Sequence, residues 1–202
     1  MPPNFLSAVL VPQISVMFFS MHKQEEKRKI RKKMKEILKE IMKPQERSEL
    51  VFKKILDKSL LDKVQFVSVY ISMPNEVDTK YIIKYCWSKS IVVCVPEFGR
   101  IDNEEKFFMR EYVRNGEVKE EAFGVKLPKY GPIHKVEEID LMFVPGLAFT
   151  EDGERLGRGK AYYDRLLDIY DGKTVGLCFK EQILDELPHE EHDKKVDELI
   201  SC

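Results

Sequence analysis

The run Arg155-Leu156-Gly157-Arg158-Gly159-Lys160-Ala161-Tyr162-Tyr163-Asp164-Arg165 places two glycines, four basic residues, two adjacent tyrosines and one acid in eleven positions. Those residue types fit the binding of a nucleotide phosphate. Glycines let the backbone come close to an anion, and backbone N–H groups at a loop-to-helix junction point at it. Arginines and Lys160 add mobile positive charge. Asp164 offers a hard oxygen ligand of the kind a phosphate-bound magnesium takes. Neither standard spacing is met, because no Ser or Thr follows Lys160 and no third glycine completes G-x-G-x-x-G.

Such a loop works only if secondary structure holds both of its ends. The apolar run Leu141–Val144 and the turn Pro145-Gly146 precede it, and helical spacing over Tyr163–Tyr170 follows. Three further runs, Val64–Ile71, Ile91–Val95 and Thr174–Phe179, are apolar and lack clean alternation, as strands covered on both faces do. Thr79–Ser88 has helical spacing. The pattern β-α-β, an irregular middle over Glu97–Lys135, then β-loop-α-β predicts an α/β fold. A mostly parallel sheet flanked by helices, in a Rossmann-like three-layer arrangement, is expected. Phe107–Tyr112 is a candidate extra strand.

A basic helix is expected to precede that unit. Over Lys23–Met42 the apolar stripe Ile30, Met34, Ile37, Leu38 and Ile41 is surrounded by Lys, Arg and Glu. Pro44 ends it, and Gln45–Leu56 continues as a second helix.

Ligands of open α/β sheets lie beyond the carboxyl ends of the strands. That rim collects Ser72–Thr79, with Glu76, and Pro145–Asp164. A rim carboxylate accepts two N–H donors from a guanidine-like ring edge, which suits a heterocycle. His189-Glu190-Glu191-His192 has its histidines three apart, not the four of a zinc-protease helix. The adjacent Asp193 can reach the same rim as Asp164, and two carboxylates with phosphate oxygens and water make a magnesium site.

Composition narrows the field. The 202 residues, 43% hydrophobic, suffice for one domain with a sizeable core. A net charge of −1 from 34 basic and 35 acidic residues argues against bulk nucleic-acid affinity. Cys86, Cys94, Cys178 and Cys202 show no C-x-x-C spacing and read as reduced thiols of a cytoplasmic protein. Residues 1–20 carry no charge, lack a signal-peptide pattern, and are broken by Pro12. They read as a disordered extension ahead of a single domain over 21–202, with no stable membrane association and a monomer favoured.

With Pro145–Phe149 and Gly153–Arg165 taken together, the chain resembles the 5-formyltetrahydrofolate cyclo-ligase (5,10-methenyltetrahydrofolate synthetase) family. Lys27–Arg31, Tyr70–Thr79, Gly176-Leu177, Gln182, Pro188, His192-Asp193 and Val196-Asp197 extend the resemblance over about Lys23 to Ile200. It implies ATP- and magnesium-dependent closure of 5-formyltetrahydrofolate to 5,10-methenyltetrahydrofolate. By that resemblance ATP contacts fall on Lys27, Arg28, Lys29, Ile30 and Arg31, and on Arg155, Leu156, Gly157, Arg158, Gly159, Lys160, Ala161, Tyr162 and Tyr163. Folate contacts fall on Ile71, Glu76 and Arg158 to Tyr162. Asp164 and Asp193 match metal ligands, and Lys160 and Arg158 match residues at the transferring phosphate. Ala161 stands where the family most often has glycine, and Leu127 where many members carry an acid. The alternative is a non-catalytic domain of this type that binds RNA or another partner through its basic helix.

Overall fold

A computed structural model describes residues 7–101 and 103–202. The first helix, α1, spans Ser7–Ile37 and so begins upstream of the expected Lys23 and stops short of Met42. Residues 1–6 of the expected disordered extension lie outside the described residues, and Ser7–Ser20 continue the helical backbone. Met34 is fully buried and Ile30 and Ile37 pack beside it, so the apolar stripe faces the core as its spacing requires. Pro44 opens α2 (Pro44–Asp57) rather than merely ending α1, because proline's fixed φ and missing N–H are tolerated at a first helical position.

The remaining elements are β1 (Phe66–Ser68), α3 (Lys80–Ser88), β2 (Val92–Ile101), β3 (Glu104–Glu111), β4 (Val118–Glu120), β5 (Lys126–Pro128), β6 (Ile133–His134), β7 (Leu141–Val144), β8 (Ala148–Phe149), β9 (Arg155–Leu156), α4 (Tyr162–Leu167), β10 (Lys173–Cys178) and β11 (Glu198–Ser201). Seven strands form one sheet in the order β11-β10-β7-β1-β2-β3-β6. β11, β10, β7, β1 and β2 run parallel, whereas β3 and β6 add an antiparallel edge. Sequence periodicity located β7 and β10 closely. It missed β11, whose Glu198–Ser201 alternates too briefly to signal a strand.

The sheet is covered on both faces. In β7, Leu141 and Phe143 enter the core shared with α1, α2 and α3, while Met142 and Val144 enter the core shared with α4. That is the period-two alternation of a strand with two apolar faces. Truncating a side chain such as Phe143, fully buried, to alanine costs about 3–5 kcal/mol. Cys86, Cys94 and Cys178 are buried free thiols, and burial pushes each up to about 12. Among the described residues no helix is long and apolar enough to cross a membrane.

From β1 the chain crosses through α3 to β2 on one side, and later returns to β7 on the other. β1 and β7 are therefore the strands at which the winding reverses, and the crevice beyond their carboxyl ends is where such sheets bind ligands.

Candidate active site

Ile71 to Thr79 follows β1, and Pro145-Gly146 follows β7. Between these segments and β2 lies a cavity of about 770 Å³, bordered by both Glu76 and Asp164. Ile71, Arg155, Arg158, Lys160, Ala161, Tyr162 and Tyr163 also border it. A neighbouring groove of about 470 Å³ shares Ile71, Met73, Glu76 and Lys126 with it.

The glycine-rich loop is shaped by local constraints. Arg155 is buried and donates from Nη2 to Asp164 Oδ1 at 2.5 Å, closing the loop at the base of α4. A Cβ on Gly157 would lie 2.7 Å from Arg155 Nη1, so any larger residue would push that guanidinium aside. Gly159 has φ +97, a conformation open to glycine at no steric cost. Ala161 is left-handed at φ 49, ψ 22, where a Cβ costs roughly 1–2 kcal/mol. The departure noted at Ala161 therefore falls on a position that needs positive φ.

Tyr162 and Tyr163 open α4. The Tyr162 hydroxyl donates to Pro96 O at 2.7 Å, tying the loop to β2. Burial pushes both phenols above their ordinary value, so both stay protonated. Gln182 Nε2, buried, donates to Gly146 O at 2.8 Å and fixes the turn after β7.

The basic run of α1 divides between two faces. Lys27 is 2% exposed and its Nζ bonds Glu190 Oε2 at 2.8 Å and Asp193 Oδ2 at 2.5 Å. Arg31 donates from Nε to Gly157 O at 3.0 Å and lies within 3.5 Å of where a Cβ on Gly159 would sit. Burial pulls the Arg31 guanidinium below its ordinary value, against the charges of Asp193, Asp164 and Glu190. Ile30 packs against the core. Arg28 and Lys29 point outward, and Arg28 forks onto Glu25 at 2.8 and 2.7 Å. The structure thus brings Arg31 to the loop and Lys27 to Asp193, and leaves Arg28 and Lys29 outside, because neighbours on a helix diverge by about 100°.

Asp164 borders the cavity, and Asp193 is brought near it, because the backbone N–H of the adjacent Lys194 lies 3.5 Å from Asp164 Oδ1. Burial raises the Asp193 carboxyl, but the Lys27 bond, the Glu190 N–H and nearby positive charge outweigh it and hold the group below its ordinary value. Asp164 Oδ1 is taken by Arg155, and Asp193 Oδ2 by Lys27 and the Glu190 N–H, while Asp193 Oδ1 lies 3.9 Å from His192 Nε2. Two carboxylates are a sparse set, and among the described residues no three metal-type side chains cluster. Magnesium accepts such a set when it keeps waters and substrate phosphates, so these two residues fit it.

On the opposite wall, Glu76 Oε2 accepts the Met73 N–H at 2.9 Å, and Oε1 accepts Arg158 Nη2 at 2.9 Å. Residues that sequence reasoning passed over also border the cavity: Lys35, Glu97, Phe98 and Lys126. Glu97 is buried and holds Arg110 Nε at 2.5 Å and Lys119 Nζ at 3.1 Å. Its signal was a charge at the end of the apolar run Val92–Val95.

Residues 23–201 match the 5-formyltetrahydrofolate cyclo-ligase family. The chain belongs to that family. The 5-formyltetrahydrofolate cyclo-ligase of Mus musculus is 31% identical over 176 residues, covering 76% of this chain and 81% of that protein. The Haemophilus influenzae protein of the same name is 30% identical over 139 residues, 66% of this chain and 74% of its own. The NMR structure of Aquifex aeolicus 5,10-methenyltetrahydrofolate synthetase superposes with a TM-score of 0.75 at 28% identity, covering 87% of this chain and 89% of that one. In this cyclo-ligase-family chain, the glycine-rich loop, the inner face of α1 and the Ile71–Thr79 loop all meet at one crevice.

Proposed function

We propose that the protein is an ATP- and magnesium-dependent enzyme that cyclises 5-formyltetrahydrofolate to 5,10-methenyltetrahydrofolate, releasing ADP and phosphate. The observation that carries this reading is a cavity bordered by both Glu76 and Asp164, with the glycine-rich loop bonded to Asp164 through Arg155 and to Glu76 through Arg158. The loop touches both carboxylates, so two substrates can meet along it.

In this reading the pterin edge donates its N–H groups to Glu76, with Ile71 against the ring. The ATP phosphates lie along Gly157–Tyr163, with Lys27 and Arg31 on the α1 side. The formyl oxygen attacks the γ-phosphorus, ADP leaves, and the formyl carbon becomes an iminophosphate. N10 of the folate then attacks that carbon, loses its proton, and phosphate departs as the ring closes. Asp164 and Asp193 would hold a magnesium ion, which would supply neutralising charge to the phosphates. Arg158 and Lys160 supply charge that follows the phosphoryl group, and the crevice holds both reactants in position. The buried free thiols support a reducing, cytoplasmic setting.

Purified protein given MgATP and 5-formyltetrahydrofolate is expected to generate the methenyl chromophore and ADP in equal amounts. Asp164→Asn keeps an acceptor for Arg155 and is expected to lower turnover at least about a hundred-fold, the scale of one lost electrostatic stabiliser. A correctly folded protein that makes no methenyl product sinks this reading. Full activity in Asp164→Asn removes Asp164 from the metal site.

A further inference from the structure

The Glu76 carboxylate, only 8% exposed, is held from within the protein by three N–H donors. The Met73 N–H takes Oε2 at 2.9 Å. Arg158 takes Oε1 with Nη2 at 2.9 Å and Nε at 3.3 Å. A guanidinium presents adjacent N–H donors on one planar carbon, and the 2-amino and N3 edge of a pterin presents the same arrangement. Arg158 therefore sits where a pterin would dock, and both cannot hold Oε1 at once.

Arg158 is also built to leave. Its side chain is 37% exposed, far more than its partner's. Glycines flank it on both sides, and Gly159 occupies the positive-φ region. Gly157, on the other side, is anchored through its carbonyl to Arg31, which lies on the nucleotide side of the loop. A short pivot between these glycines carries the guanidinium from Glu76 toward the phosphates.

We propose that Arg158 is an internal stand-in for the pterin edge and couples the two substrate sites. Folate displaces it from Glu76, and the released charge moves to the nucleotide. Conversely, a nucleotide that draws Arg158 away vacates Glu76 for folate. The inference rests on the assignment of Glu76 as the pterin acceptor. A partly exposed ion pair holds such a closed arrangement by up to about five-fold. The apparent folate affinity of the free enzyme is reduced by that same factor. Linkage requires the coupling to be equal in both directions.

The test is calorimetric binding with the full chain, using 5-formyltetrahydrofolate alone, a non-hydrolysable ATP analogue with magnesium alone, and each in the presence of the other. In the unaltered protein each ligand is expected to tighten the other by several-fold. Arg158→Gln is expected to tighten folate several-fold without nucleotide, bring the coupling factor to about one, and lower kcat at least ten-fold. Arg158→Lys keeps the charge but lacks the fork, so it is expected to show the tighter folate binding with part of kcat restored. Glu76→Gln is expected to weaken folate at least ten-fold, both alone and combined with Arg158→Gln. Folate affinity unchanged or weakened in Arg158→Gln, or coupling that persists there, overturns the proposal while Glu76→Gln still tests its foundation. If Glu76→Gln leaves folate binding intact in both backgrounds, the pterin assignment itself falls and takes the proposal with it.

Discussion

Lys27 and Arg28 are adjacent basic residues on one helix, and they live in opposite surroundings. The Lys27 side chain is 3% exposed and faces Glu190 and Asp193 across the fold. The Arg28 side chain is 75% exposed and grips Glu25, one turn away. The difference shows that a basic run resembling a phosphate-binding motif is sorted by helix geometry. On the inner face Lys27 meets Asp193 and Arg31 meets the loop, while Arg28 and Lys29 keep the outer face in water. An ion pair in water contributes little, whereas breaking a buried one strands its partner.

The sharpest way to break this contrast is Lys27→Met. It leaves Glu190 and Asp193 without their buried cation and is expected to cost about 3–5 kcal/mol. For a chain of this length that lowers the melting temperature by roughly 2–4 °C per kcal/mol, readable by circular dichroism. Lys27 also shapes the acid limb. Because the folded Asp193 carboxyl sits below its unfolded value near 3.9, its contribution is full above about pH 4. It drains away as pH falls through the folded value. Denaturant titrations across that range are expected to show a shallower acid loss in Lys27→Met; an unchanged slope would remove Lys27 as the cause.

Arg31→Ala tests the second inner residue. Its bond to Gly157 O holds the loop, so affinity for a non-hydrolysable ATP analogue is expected to fall about ten-fold, or about 1.4 kcal/mol. On the loop facing it, Ala161→Gly relieves a left-handed alanine and is expected to gain up to about 1 kcal/mol in denaturant midpoint. A loss of stability there would mean the alanine methyl packs more favourably than its backbone strain costs. Arg28→Ala completes the contrast with the smallest effect. Stability within about 0.5 kcal/mol and unchanged nucleotide affinity are expected; a ten-fold loss of affinity would return Arg28 to the site.

How far the sequence carried these conclusions depends on the range of each interaction. β7 and β10 were legible because four to six consecutive apolar residues have no other stable place than a doubly covered sheet. The loop was legible because its glycines, basic residues and Asp164 are contiguous. The split within Lys27–Arg31 was only half visible: the stripe at Ile30 and Met34 defines an inner side, but nothing local says that carboxylates wait beside Lys27. Glu97 escaped because its partners, Arg110 and Lys119, come from β3 and β4, in the middle that lacks periodicity. The left-handed backbone at Ala161 was signalled by the family's usual glycine there and not by the alanine itself, a residue that ordinarily marks helix.

The Lys27–Asp193 bond joins positions 166 residues apart. Closing so long a loop is entropically slow, and non-local pairings form late in folding. The crevice and the global structure therefore mature together. No fragment that collapses early, such as β1 with α3 and β2, holds both halves of the site. Recovery of ligand binding during refolding should follow the slowest structural phase, and partly folded chains will be inert toward the substrates.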